Sequence, residues 1–165
     1  MLGLGQKIPE FRLFSTLGRP LDSKELLGSW SVLFFFPKAK TVVCQSEVLE
    51  FNSQLRKFDG MKTKVFGIST DDMLVQKEWA TELGISYPLL ADTDRKISAA
   101  FGVINPEKGS AFRALFIADK ELVIRHITAN INPVGRSVQE TLRVLSALQT
   151  GKSTLCEWHP GQATL

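Results

Sequence analysis

Apolar residues recur along this chain with two different periods. Runs rich in valine, isoleucine, leucine and phenylalanine predict β-strands at Val32–Phe36, Val65–Ser69, Leu115–Ala118 and Val123–Thr128. The charged triplet Asp119–Glu121 separates the last two runs and predicts a tight hairpin turn. We therefore expect a hairpin late in the chain and strands separated by other elements before it.

Other stretches have apolar residues three and four positions apart, which predicts helices with one buried face. The two clearest faces comprise Val48, Phe51, Leu55 and Phe58, and, near the C-terminus, Val138, Leu142, Leu145 and Leu148. A weaker helix is predicted from about Asp72 to Leu83, with Asp71 or Asp72 as its cap. A fourth, Asp94–Phe101, is expected to end at Gly102.

This order of elements predicts an α/β fold with a mixed central sheet flanked by helices. The 165 residues suit one domain, spanning 1–165, which can bury a core without disulfides. The polar stretch from about residue 150 contains Gly151, Pro160 and Gly161. We expect it to form a tail without regular structure, and to be mobile.

Composition and charge exclude several classes of function. The 20 basic and 17 acidic residues leave a net charge of +3 without a dense basic stripe, so no nucleic-acid partner is expected. No run of about 18 apolar residues is present, so no membrane partner is expected either. The first ten residues lack the pattern of a secretory signal, which predicts a cytoplasmic protein. In that reducing compartment two cysteines indicate catalysis, sensing or metal binding before structural stapling.

Cys44 is the first candidate for chemistry. It follows a predicted buried strand and the loop 37–43, and it precedes a predicted helix, so it should see unpaired N–H groups and the positive end of the helix dipole. Both favour the nucleophilic thiolate. Pro37 ends the strand, and the hydroxyl of Thr41 is placed to donate one hydrogen bond and accept another. The alternative is a buried cysteine that acts only as a small hydrophobic residue.

The spacing Pro37-x-x-x-Thr41-x-x-Cys44 resembles the active-site loop of peroxiredoxins, the alkyl hydroperoxide reductase and thiol-specific antioxidant family. The resemblance extends over almost the whole chain. Further similar segments are Phe66–Asp71 with Trp79, Tyr87–Asp92, Phe112–Asp119, Asn132–Ser137 and Glu140–Arg143.

The resemblance implies a thioredoxin-like fold and reduction of hydrogen peroxide and alkyl hydroperoxides, with no cofactor. Cys44 would attack one peroxide oxygen and become a sulfenic acid. Arg113 would stabilise the thiolate and the charge that develops on the peroxide. Glu47 would orient an arginine, and Arg136 would be the second arginine of that network. Arg136 capping a loop is the alternative for that residue.

The second cysteine, Cys156, lies in a shortened version of the Cys-x-x-x-Trp-x-Pro-Gly pattern with which typical two-cysteine peroxiredoxins end. The resemblance implies a resolving cysteine that forms a disulfide with Cys44 of the other subunit of a homodimer. A thioredoxin-like or dedicated disulfide reductant would then reduce that bond. An idle thiol on a loose tail is the alternative. The two cysteines with His126 and His159 match no zinc spacing, so no metal site is expected.

The chain departs from the family at several positions. Gln45 and Ser46 replace the usual proline and threonine after the cysteine, and Gln76 replaces a frequent histidine. Lys40 replaces an aromatic residue that contributes to contacts between dimers, which weighs against a ring of dimers. The C-terminal Tyr-Phe helix and the Gly-Gly-Leu-Gly loop of overoxidation-sensitive relatives are missing. We therefore expect the Cys44 loop to open easily, so that resolution outruns further oxidation.

Two other functions remain open at this point. One is a peroxide-sensing switch or holdase chaperone that uses the same disulfide with little turnover. The other is a non-catalytic binding module in which Cys44 is structural. Steady-state peroxide consumption distinguishes an enzyme from both. A thioredoxin-type reductase is disfavoured because the chain has no Cys-x-x-Cys motif.

Overall fold

A computed structural model describes residues 1–165, with seven strands and five helices. The strands are β1 Arg12–Ser15, β2 Pro20–Asp22, β3 Trp30–Phe35, β4 Thr63–Ser69, β5 Leu89–Ala91, β6 Arg113–Ala118 and β7 Ile124–Asn130. The helices are α1 Val42–Ser53, α2 Leu55–Gly60, α3 Met73–Leu83, α4 Lys96–Ala100 and α5 Val138–Gln149, with a 3-10 turn at Ser23–Leu26.

All seven strands form one mixed sheet in the order β2-β1-β5-β4-β3-β6-β7. β3 is parallel to β4 on one side and antiparallel to β6 on the other. The chain therefore has the predicted α/β architecture, with β3 near the centre of the sheet. β6 and β7 form the predicted antiparallel hairpin.

Side chains of β3 alternate between two cores, as strand geometry requires. Phe34 points into a cluster with α1, α3 and α5, and this cluster includes Cys44. Phe35 points to the opposite face, where it packs at 4.9 Å between ring centroids on Phe101. Because both faces are covered, β3 is almost entirely apolar, and its carboxyl end lies in the interior.

Local capping explains where α3 and α5 begin and end. The Asp72 side chain accepts a hydrogen bond from the Leu74 amide at the start of α3, as predicted. Gly84 ends α3 in the left-handed conformation, with φ 65°. Ser137 caps α5 by accepting from the Glu140 amide.

The predicted apolar face from Val48 to Phe58 belongs to two helices, so the expectation of one continuous helix was wrong. α1 ends at Ser53, and Gln54, with φ −97° and ψ 3°, separates it from α2. The apolar period continues through the break because both helices pack on the same face of the sheet. The fourth helix is shorter than predicted, and it starts after Arg95, which has φ 63°.

The segment after Thr150 has no helix or strand, as predicted, but it packs against α5. Trp158 is only 5% exposed. Its carbonyl accepts a hydrogen bond of 3.0 Å from Arg143 of α5, and its indole N–H donates to the Gln162 carbonyl. No helix in the structure has the length and apolar character needed to cross a membrane.

Candidate active site

The sheet register brings together the segments that carry the predicted site. Phe34 of β3 lies opposite Leu115 of β6 in the antiparallel pairing. The end of β3 is therefore next to the start of β6, where Arg113 is the first residue. The chain leaves β3 there, forms the loop 36–41 and enters α1 above the same edge.

Cys44 occupies the third position of α1, and its side chain is completely buried. Thr41 is the N-cap, and the first hydrogen bond of the helix runs from the Gln45 amide to the Thr41 carbonyl at 2.8 Å. The amides of Val43 and Cys44 have no acceptor within the protein. The first turn thus presents free N–H donors beside the sulfur, as the sequence position predicts.

Arg113 makes the closest polar contact with the cysteine. Its Nη1 lies 3.2 Å from the Cys44 Sγ and 2.7 Å from a carboxylate oxygen of Glu47. Its Nε donates to the Asn132 carbonyl at 2.6 Å. Arg113 is 4% exposed, so a buried cation is held in one orientation against a buried sulfur.

Glu47 joins Arg113 to a second arginine. Arg136 donates from its backbone amide and Nε to one oxygen of Glu47, at 2.9 and 2.8 Å, and from Nη2 to the other at 2.9 Å. Its Nη1 donates to the carbonyls of Phe35 and Ala114, at the end of β3 and the start of β6. Arg136 therefore ties the carboxylate to both strands that border the site, and it contacts neither the sulfur nor a solvent-exposed group.

The ionisation of Glu47 reflects two opposing effects. Burial is the larger single influence and disfavours the carboxylate, but the hydrogen bonds from Arg136 and the charges of Arg136 and Arg113 together outweigh it. The pKa of Glu47 is therefore below its ordinary value. The buried cluster contains one carboxylate and two guanidinium groups, which leaves a net positive charge near Cys44.

Two other predicted site residues lie in the loop before α1. Thr41 donates its hydroxyl hydrogen to the Lys38 carbonyl at 2.8 Å, so its oxygen remains available as an acceptor. The Thr41 hydroxyl makes no hydrogen bond to Cys44. Pro37 is half-buried directly after the end of β3.

Cys156 is exposed and lies away from this cluster. It borders a cavity with Arg143, Ala147 and Gly151, along the C-terminal half of α5. Arg136 of the site precedes the N-terminus of the same helix, whose 12 residues span about 18 Å. A disulfide needs the two sulfurs about 2.05 Å apart, and the Cys44 side chain is completely buried while Cys156 is exposed, so the two cannot bond within one folded chain without rearrangement.

Sequence reasoning missed Asp71 as part of the surroundings of the site. Its carboxylate accepts a hydrogen bond of 2.7 Å from the amide of Ala39, in the loop that leads to Cys44. The sequence suggested it as an alternative cap for α3 and as the end of a segment similar to the family, without a role in the site. Asp71 follows the end of β4, and β3 and β4 are parallel, so their carboxyl ends lie at the same edge of the sheet. This position beside the end of β3 is the signal that could have identified it.

The arrangement suits attack by an anionic sulfur. A guanidinium group within hydrogen-bonding distance stabilises a thiolate, and free amides with a hydroxyl oxygen can hold the two oxygens of a small substrate. As an oxygen–oxygen bond breaks, negative charge grows on the departing oxygen, and the same donors stabilise it without reorganising.

Comparison with known proteins agrees with this chemistry. The family model described as AhpC/TSA matches residues 4–127. The chain is 42% identical to peroxiredoxin TSA1 of Saccharomyces cerevisiae over 174 residues, covering 97% of this chain and 89% of the yeast protein. It is 32% identical to alkyl hydroperoxide reductase C of Mycolicibacterium smegmatis over 184 residues, covering 100% and 94%.

Comparison with solved structures points to the same family. The crystal structure of AhpC from Enterococcus faecalis matches with a TM-score of 0.88 at 29% identity, covering 94% of this chain and 99% of that chain. The predicted thioredoxin-like fold is thereby confirmed, and so is the predicted enzyme class of thiol-dependent peroxidase. The chain belongs to the AhpC/TSA family of peroxiredoxins.

Proposed function

We propose that Cys44 is the residue that peroxide oxidises and that Arg113 is its main electrostatic partner. The observation that carries this proposal is the 3.2 Å contact between Arg113 Nη1 and the Cys44 Sγ, within a site where both side chains are buried. Charge interactions strengthen where water is excluded, so this arginine favours the thiolate and stabilises the transition state.

The reaction proceeds by displacement at oxygen. The Cys44 thiolate attacks one oxygen of the peroxide, an S–O bond forms and the O–O bond breaks. Cys44 becomes a sulfenic acid, and the other oxygen leaves as hydroxide or alkoxide and takes up a proton to give water or an alcohol. Hydrogen peroxide and alkyl hydroperoxides are the proposed substrates, because both contain the same reacting O–O–H group.

Each residue around the Cys44 sulfur has a separate role in binding the peroxide. The free amides of Val43 and Cys44 donate to its oxygens. Thr41 accepts from the peroxide O–H, because its own hydroxyl hydrogen is engaged with Lys38. Pro37, half-buried after the end of β3, fixes the entry of the loop that leads to Cys44. Glu47 and Arg136 act indirectly, since the carboxylate orients Arg113 and Arg136 orients the carboxylate.

We further propose that the enzyme is of the typical two-cysteine type. Cys156 of one subunit attacks the Cys44 sulfenic acid of the other, forming the S–S bond and releasing water. The separation of the two cysteines within one folded chain and the exposure of Cys156 support a bond between subunits. A thioredoxin-like or dedicated dithiol then reduces the disulfide by exchange. In this proposal residues 1–165 act as one domain in the cytoplasm, with the segment from about residue 150 delivering Cys156.

The free edge of the sheet supports a homodimer. β7 is the last strand of the sheet, and backbone hydrogen bonds from residues 5–8 reach its outer edge only as far as Ile124. Residues 125–130 therefore present unpaired backbone groups, and a second copy of β7 can pair with them. Asn130 lies opposite Arg113 in the β6–β7 pairing, so this interface would adjoin the site. Lys40, in place of the aromatic residue that contributes to contacts between dimers, weighs against a ring of such dimers.

The inter-subunit scheme predicts a definite electrophoretic result. One equivalent of hydrogen peroxide should convert the reduced protein into a disulfide-linked dimer on a non-reducing gel. Cys44→Ser and Cys156→Ser should each prevent that band. A monomer band in all samples, with an internal Cys44–Cys156 bond found by mass spectrometry, would contradict the scheme. A protein oxidised once without turnover in the presence of a dithiol would favour the peroxide-sensing switch instead.

Arg113→Lys should lower kcat/KM for peroxide about 100-fold, the usual effect of losing one well-placed donor to a transition state. Lysine keeps the positive charge, but one ammonium group cannot reproduce the donors that reach Cys44, Glu47 and Asn132 together. Competition with a second peroxidase for peroxide measures the rate. Arg125→Lys, at a half-exposed ion pair with Asp119, is the control. Equal rates for wild type and Arg113→Lys would remove Arg113 from the proposed chemistry.

A further inference from the structure

The loop that leads to Cys44 is attached to the rest of the protein at one backbone position. Of the residues from Pro37 to Lys40, only Ala39 donates a backbone hydrogen bond to another segment, and its acceptor is Oδ2 of Asp71 at 2.7 Å. The bond of Thr41 to Lys38 is internal to the loop. The ion pair between Lys40 and Glu78 is at the surface, where such pairs contribute little.

The Asp71 carboxylate is held in place by the side chains of Ser69 and Gln76. The Ser69 hydroxyl donates to the same Oδ2 at 2.8 Å, and the fully buried side chain of Gln76 donates to the Ser69 oxygen at 3.0 Å. Gln76 is also tied to the Leu90 carbonyl at 3.1 Å. The carboxylate is therefore a fixed acceptor that β4, β5 and α3 position.

The closed loop holds Lys40 in an unfavourable backbone conformation, and the hydrogen bond from Ala39 to Asp71 keeps the loop closed in spite of it. Lys40 adopts φ 59°, in the left-handed region that is unfavourable for a residue with a side chain. Opening the loop relaxes this residue. The neighbouring Ala39 is 3% exposed and its amide is satisfied only by Asp71, so the closed loop depends on that acceptor.

Opening is required by the second half of the proposed reaction. The Cys44 side chain is 0% exposed, and a disulfide requires the two sulfurs to approach to about 2.05 Å. The first turn of α1 and the loop before it must therefore open before Cys156 can attack. Reaction with peroxide, in contrast, needs the closed form, in which Arg113 contacts the sulfur.

We propose that Asp71 is a positioning residue, a latch that holds the Cys44 loop closed. It thereby sets how much of the Cys44 sulfenic acid becomes sulfinic acid and how much becomes disulfide. This inference rests on the proposed resolving role of Cys156. In the closed form a second peroxide oxidises the sulfenic acid to sulfinic acid and releases water or alcohol. In the open form Cys156 forms the disulfide and releases water. The ratio of the two products follows the ratio of closed to open protein.

Removing the latch should shift this ratio. A hydrogen bond to a charged acceptor contributes enough that its loss changes an equilibrium about tenfold. In Asp71→Ala, the peroxide concentration that converts half of Cys44 to sulfinic acid should rise about tenfold, as measured by mass spectrometry with a dithiol reductant present. Asp71→Asn keeps an oxygen acceptor without the charge and should give an intermediate shift, about threefold.

Asp119→Ala is the matched control. Asp119 also accepts hydrogen bonds from backbone amides, those of Glu121 and Val123, but it does so in the turn at the opposite end of β6 from Arg113. A merely destabilised protein would behave like this variant and leave the sulfinic acid midpoint unchanged. The same midpoint in wild type, Asp71→Ala and Asp119→Ala would overturn the latch.

Amide hydrogen exchange separates failure of the latch from failure of the proposed resolving role. In the reduced Cys156→Ser background, Asp71→Ala should accelerate exchange of the Gln45 amide about tenfold, because its bond to the Thr41 carbonyl is the first bond of α1 and breaks when the loop opens. Unchanged exchange there would reject the latch. Absence of a Cys44–Cys156 disulfide in the wild type would instead reject the resolving role, whatever the exchange rates.

Discussion

Replacing Cys44 by serine is expected to reduce peroxide consumption to the level of a protein-free control. A serine hydroxyl has almost no anionic form at neutral pH, so neither Arg113 nor the free amides of α1 can turn it into a nucleophile. The fold should persist, because the change is nearly isosteric at a packed position. Peroxide loss with a dithiol reductant, followed alongside circular dichroism, measures both properties.

Cys156→Ser is the matched control for this prediction. It removes the other thiol, which is exposed and remote from Arg113, and it should leave the first oxidation of Cys44 at its wild-type rate while preventing the disulfide. If Cys44→Ser kept substantial turnover while Cys156→Ser lost the first step, the roles assigned to the two thiols would have to be exchanged.

Glu47→Ala should lower the free energy of unfolding by about 3–5 kcal/mol, because it leaves Arg113 and Arg136 buried without a counter-charge. Activity should fall as well, since Arg113 loses the carboxylate that holds it beside Cys44. Glu47→Gln keeps the shape and one acceptor oxygen, and its effect on stability should be smaller. Denaturant unfolding at pH 7 gives these differences, and competitive peroxide kinetics give the rates.

An exposed carboxylate provides the comparison. Glu140 pairs with Arg143 on the surface of α5, so Glu140→Ala should cost less than about 1 kcal/mol. If Glu47→Ala were as stable as Glu140→Ala, the buried cluster could not be what orients Arg113.

The lowered pKa of Glu47 also predicts how stability depends on pH. Its ordinary value is 4.5, and the folded protein favours the charged form. The interactions of the carboxylate therefore stabilise the fold above pH 4.5, and this contribution is lost as the pH falls through the lower value of the folded state. The stability advantage of wild type over Glu47→Gln should be constant near neutrality and shrink below pH 4.5.

Much of the fold could be predicted because its local signals are strong. The helix face from Val138 to Leu148 and the cap at Asp72 have direct physical causes in spacing and hydrogen bonding. β1, β2 and β5 were missed because strands of three or four residues are too short to show a period. The end of α1 at Ser53 was missed because the sheet keeps one apolar face continuous across two helices.

The site was predictable only as far as its chemistry is local. Cys44 at a helix start follows from spacing, whereas its contact with Arg113 spans 69 positions and depends on the register of β3 and β6. The resemblance to a known family supplied the arginines that spacing could not. The acceptor role of Asp71 toward Ala39 had no sequence signal beyond its position after β4, since a backbone amide donor is the same at every residue.

The most direct test of Cys44 as the oxidised residue is to trap its sulfenic acid. The Cys156→Ser variant, which cannot form the disulfide, is treated with one equivalent of hydrogen peroxide and then with a 1,3-diketone that reacts with sulfenic acids. Peptide mass spectrometry should find one adduct, on the peptide that contains Cys44, and none when Arg113 is also replaced by alanine and the reaction is stopped early. Consumption of the peroxide with Cys44 still a free thiol would contradict the assignment.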